Sequence, residues 1–141
     1  MTVITGTDGS ERAERAVTTA AGVALALGQP LVVVTVHREF GGETFGRLDE
    51  EQLMHPSEHA GAIANQSARR VVEEFPGLVA EGRAYAGKPA EGLLLAAADV
   101  DASLIVVGNR RVQGAGRVLG SIASEVTRQA PCDVYIAHTQ E

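Results

Sequence analysis

The stretch Leu31–Val36, LVVVTV, constrains this chain more than any other. It is almost unbroken β-branched sequence with no polar alternation. A strand of that kind is buried on both faces, which a parallel sheet covered by helices provides. A second such run, LIVV at Leu104–Val107, lies far along the chain. Parallel neighbours need crossover connections, and the sequence between the strands has helical spacing.

The rest of the chain fits that frame. Thr2–Thr7 reads as a strand that ends in the turn cluster Gly6-Thr7-Asp8-Gly9-Ser10. Ser10–Leu27 follows as a helix, with Ala13, Ala16, Val17, Ala20, Ala21, Ala24 and Leu27 at helical spacing. Asp8 or Ser10 is its cap, and Gly28 ends it. After the second strand, Arg38–Pro56 is irregular and long for a compact domain. It is either functional or mobile, with Phe40 and Phe45 packing as a lid or against a partner. Ser57–Phe75 is the second helix, Leu78–Tyr85 a strand, and Ala90–Ala98 a short helix led by Pro89. Ser103–Val107, Gly120–Gln129 and Cys132–Ala137 complete a βαβαβαβαβ order. That alternation gives an α/β fold, a Rossmann-like, three-layer open sheet of five parallel strands with four helices. One domain over residues 1–141 is expected.

Ligands on such sheets bind outside the carboxyl ends of the strands, where strand order reverses. Two clusters sit at those ends. Gly6, Thr7 and Asp8 follow the first strand. The fourth strand runs into a loop with Gly108, Gly114, Gly116 and Gly120, and with Arg110, Arg111 and Arg117. No acidic residue occurs from Ala102 to Ser124, although the chain carries a formal charge of −6. A basic, glycine-rich strand-to-helix turn in an acidic chain suits a phosphate-bearing ligand. The same net charge argues against nucleic-acid or anionic-membrane partners. No apolar run reaches the ~18 residues of a membrane span. The first residues, MTVITGTDGS, carry no positive region like that of a signal peptide, and the lone Cys132 fits a reducing compartment. Cytoplasmic localisation is expected.

Several stretches together resemble the universal stress protein family: GTDGSERAERAV, GKPAEGLL, LIVVGNRR and LGSIASEVTRQAPCDVYIAH. The resemblance implies a five-stranded α/β domain, strand order 3-2-1-4-5, and a homodimer. Pairing through the C-terminal strand, Cys132–His138, would cover a sheet edge. One branch of the family binds ATP through G-x2-G-x9-G-[S/T]. Gly108 matches the first glycine, and Gly120-Ser121 matches the terminal pair. Arg111 stands at the second glycine, and the loop is one residue short. The arginines either contact phosphate directly or fill the site.

By resemblance, Asp8 contacts the adenosine part and the Val36 backbone contacts the base. From spacing alone Asp8 is equally a helix cap, Val36 an ordinary core valine, and Ser121 a phosphate-binding hydroxyl, a cap or both. Asn109 belongs to the same loop. The expected ligand is ATP or another adenine nucleotide such as cyclic AMP, with magnesium on the phosphates as an accompanying option. No general base and no carboxylate pair adjoin the loop, so the expected role is regulatory, with slow ATP hydrolysis less favoured. The alternative is a ligand-free, dimeric interaction protein. The His55-Pro56-Ser57-Glu58-His59 spacing is better explained by a helix start than by zinc. Gly114-x-Gly116-x3-Gly120 follows the wrong strand for a dinucleotide fingerprint.

Overall fold

A computed structural model of the chain describes residues 1–38, 55–109 and 119–139. Their elements run β1 (Thr2–Gly6), α1 (Glu11–Leu27), β2 (Leu31–His37), α2 (Pro56–Glu74), β3 (Ala80–Ala86), α3 (Pro89–Asp99), β4 (Ala102–Gly108), α4 (Ser121–Gln129) and β5 (Asp133–Ala137). The strands form one sheet in the order β3-β2-β1-β4-β5, and every pairing is parallel. The architecture and the strand order are those expected from the sequence.

Both faces of the sheet are covered, which explains LVVVTV. Leu31 and Val33 join the core beneath α1 and α2. Val32 and Val34 join the opposite core, with Leu93, Ala96, Ala123 and Val126 from α3 and α4. Each fully buried valine contributes roughly 1.5–3 kcal/mol relative to exposure. α1 turns small residues inward (Ala16, Val17, Ala20, Ala21 and Ala24), so its axis lies close to the sheet. Where α2 crosses β3, the approach is close. A Cβ on Gly82 would run into the backbone of Ala64 and Asn65.

The helix ends follow local chemistry. Ser10 caps α1 by accepting from the Ala13 N–H at 3.2 Å, and Gly28 ends the helix in the left-handed region at φ 67°. His55 caps α2, its Nδ1 accepting from the Ser57 N–H at 3.3 Å, with Pro56 in the first turn. Element ends differ by a residue or two from the expected ones. Leu78 is the clearest case: it is buried in the core, but from the turn before β3 rather than from the strand. Cys132 likewise lies just ahead of β5 and is half-buried against the α3–α4 core. No helix among the described residues is long and apolar enough to cross a membrane. Most of the long irregular segment, including Phe40 and Phe45, lies outside the described residues.

Candidate functional site

β1 and β4 are neighbours, and the connections from their carboxyl ends leave toward opposite faces of the sheet. That divergence opens a crevice, and a cavity of about 580 Å³ occupies it. Its volume lies in the range of small-molecule sites. Gly6, Thr7 and Asp8 line it from the end of β1, and Val107, Gly108 and Asn109 from the end of β4. Val34 and Val36 of β2, with Pro89 and Leu93 of α3, form an apolar side. α1 contributes Arg12, Ala13 and Ala16, preceded by its cap Ser10. Gly120 to Ala123, at the start of α4, and Thr139 complete the lining.

The sequence-derived residues Gly6, Thr7, Asp8, Val36, Gly108, Asn109, Gly120 and Ser121 therefore meet around one cavity. Arg110, Arg111, Gly114, Gly116 and Arg117 lie outside the described residues. The lining also holds residues not anticipated as site residues, among them Arg12, Ala13 and Ala16 of α1, Val34, Leu93 and Ile122, and Thr139 beyond β5. A helical wheel for α1 puts Arg12 and Ala16 one turn apart on one face, the signal that was available in the sequence.

The turn after β1 is held from behind. Thr7 donates its hydroxyl to Glu14 Oε2 at 2.7 Å and accepts from the Gly9 N–H at 3.0 Å. Glu14 also receives the Ser67 hydroxyl, 2.8 Å from Oε2, and Arg70 Nε, 3.1 Å from Oε1. Arg70 reaches on to the Thr18 hydroxyl and to Glu74. Thr35 donates to the Thr7 carbonyl at 2.8 Å, which ties β2 to the same turn. The pocket rim is thus bonded to α1, α2 and β2 at once.

Asp8 does not cap α1, since Ser10 takes that position. Asp8 accepts the Ser10 N–H at 2.9 Å. Hydrogen bonds from Ser10, first its side chain and then its backbone, hold the Asp8 carboxyl below its ordinary range despite partial burial. Asp8 is therefore an ionised acceptor at the cavity wall at neutral pH. Ser121 is not a cap either. Gly120 is the N-cap of α4, and no side chain among the described residues caps that helix. The first N–H groups of α4 open on the cavity wall, where its dipole is positive.

The β4 end is closed by the chain after β5. Thr139 is 1% exposed, and its N–H donates to Asn109 Oδ1 at 2.8 Å. Its hydroxyl donates to the Asn109 carbonyl at 2.7 Å, and its own carbonyl accepts from Arg15 at 3.1 Å. Gly108 allows this closure, because a Cβ there would stand 2.8 Å from Thr139 Cγ2. Cys132 lies away from the cavity lining, and burial, with Asp133 beside it, pushes its thiol pKa up.

An open parallel sheet of this order, with a crevice at its switch point, defines a Rossmann-like α/β protein. The chain belongs to the universal stress protein family, whose family model matches residues 1–138. A universal stress protein of Thermus aquaticus is 35% identical over 140 residues, covering 96% of each chain. A universal stress protein solved in complex with cAMP is 32% identical, with a TM-score of 0.70, over 99% of this chain and 98% of that one. The universal stress protein from Archaeoglobus fulgidus in complex with dAMP is 28% identical, with a TM-score of 0.65, over 96% of both.

Proposed function

We propose that this protein binds an adenine nucleotide in the β1–β4 crevice and acts as a regulatory member of its family in stress response, not as an efficient enzyme. The observation that carries the reading is the uncapped start of α4, Gly120–Ala123, on the wall of a nucleotide-sized cavity. Phosphate oxygens would accept from those N–H groups, with Ser121 adding a hydroxyl. Arg110, Arg111 and Arg117 supply positive charge in the same connection, with magnesium on a polyphosphate where one is bound. Asp8, an ionised acceptor, suits a ribose hydroxyl. Val34, Val36 and Leu93 offer an apolar side for the base. The cAMP and dAMP complexes of related proteins support the choice of an adenine ligand.

Among the described residues the cavity lining holds one carboxylate, Asp8, and no histidine. That set lacks the base and the metal-binding carboxylate pair of an efficient hydrolase. Calorimetry with ATP, ADP and cyclic AMP, with and without magnesium, on nucleotide-free protein tests the reading. Saturable binding of at least one is expected, and no binding of any at millimolar ligand would end it.

A second reading, a dimeric interaction protein without ligand, draws on β5. It is an edge strand, and its Tyr135 is 44% exposed. Pairing of two Cys132–His138 segments would cover that edge. The mass in solution at micromolar concentration tests it, with two chains expected and one chain contradicting it. The lone Cys132, which fits a reducing compartment, supports a cytoplasmic location under either reading.

A further inference from the structure

Arg12 lines the cavity and is its one basic side chain among the described residues. It is exposed and, among the described residues, makes no hydrogen bond or ion pair. Two other arginines among the described residues, Arg15 and Arg70, are committed. Arg15 binds Glu11 and the Thr139 carbonyl, and Arg70 binds Glu14 and Glu74. Arg12 stands one helical turn before Ala16, on the same face of α1. The Ala16 Cβ lies 3.6 Å from where a Cβ on Gly108 would be. Helical side chains lean toward the N-terminus. Arg12 thus stands at the cavity mouth, above the point where β4 passes into the glycine-rich stretch. A guanidinium there, in a chain of net charge −6, has no structural partner among the described residues to explain it.

We infer that Arg12 is a phosphate-binding and specificity-determining residue, and that it favours nucleotides with a dianionic terminal phosphate over cyclic monophosphates and nucleosides. The inference rests on the proposed nucleotide reading and deepens it. A guanidinium forks onto two phosphate oxygens, and its attraction grows with phosphate charge. A nucleoside gains nothing from it. Asp8, on the same wall, repels a phosphate, so the two side chains orient the ligand with ribose toward Asp8 and phosphate toward Arg12.

The test is calorimetry with adenosine, AMP, cyclic AMP and ATP on the wild type, Arg12→Gln and Arg12→Lys. Arg12 is exposed, so the variants are expected to fold, which circular dichroism checks. Arg12→Gln is expected to weaken AMP and ATP by about ten-fold or more, the worth of one charge-assisted hydrogen bond. Cyclic AMP weakens less, and adenosine stays within about two-fold. The salt dependence of ATP binding also falls in Arg12→Gln and is retained in Arg12→Lys. Unchanged ATP affinity in Arg12→Gln overturns the inference while leaving nucleotide binding intact. An equal loss for adenosine and ATP overturns it too, because that pattern reads as pocket distortion. A wild type that binds none of the four overturns both readings.

Discussion

Thr7 and Glu14, seven residues apart, are joined by a 2.7 Å hydrogen bond that fastens the rim of the crevice to the first helix. The same carboxylate takes the hydroxyl of Ser67, a residue only 3% exposed on α2. Ser67→Ala removes one donor and leaves Glu14 less satisfied in a partly buried place. A loss of about 1–2 kcal/mol in unfolding free energy is expected. Urea titration would show a lower midpoint with an unchanged slope. An unaltered midpoint would mean that water replaces the hydroxyl without cost.

The Asn109–Thr139 pair closes the other end of the crevice. Asn109→Ala removes the acceptor of the Thr139 N–H, a group the fold keeps from water. The expected cost is about 1–3 kcal/mol. Asn109→Asp keeps an acceptor oxygen and should retain most of the wild-type stability. Equal melting temperatures for the two variants would show that this bond does not hold the chain end.

Asp8 sets a pH window. Its carboxyl pKa is lowered from the ordinary 3.8, chiefly by hydrogen bonds from Ser10. A lowered carboxyl favours the native state above its unfolded value, and that contribution is lost as pH falls through the native value. Asp8 therefore stays ionised from pH 5 to 8, and ligand affinity should show no step from it there. A carboxyl carbon NMR titration should give a midpoint below 3.8. A midpoint above that value would contradict the role of Ser10.

Gly120 precedes the first N–H groups of α4, which no side chain among the described residues caps, and is itself buried in the cavity wall. A branched side chain there would stand between ligand and helix. Gly120→Val is expected to weaken nucleotide binding by about ten-fold or more, the worth of one charge-assisted hydrogen bond, with native circular dichroism. Affinity equal to the wild type would place the phosphates elsewhere.

Much of the fold could be read from the residues, because LVVVTV and LIVV admit few positions other than the middle of a covered parallel sheet. Leu78 misled at the strand start, since a buried leucine looks the same in a turn as in a strand. The close crossing over Gly82 also depends on α2, which no pattern in AEGRAYA reports. At the site, the two glycine-bearing turns were visible as strand-end clusters. Whether Asp8, Ser10 or Ser121 caps a helix was not, because caps and ligand contacts draw on the same side chains. Backbone geometry separates them: Ser10 and Gly120 are the caps, which leaves Asp8 and Ser121 on the cavity wall. Arg12 and Thr139 escaped because their place depends on how α1 and the end of β5 pack against β4.

The central claim is that an adenine nucleotide occupies the β1–β4 crevice. Titration of isotope-labelled protein with ATP, followed by amide NMR, tests it directly. The largest shifts are expected at Thr7, Asp8, Arg12, Asn109, Ser121 and Ile122. A second hollow, at the opposite end of the sheet beside Pro30, Glu81 and Arg83, serves as the internal control and should stay still. Shifts confined to that end, or none at millimolar ATP, would contradict the claim.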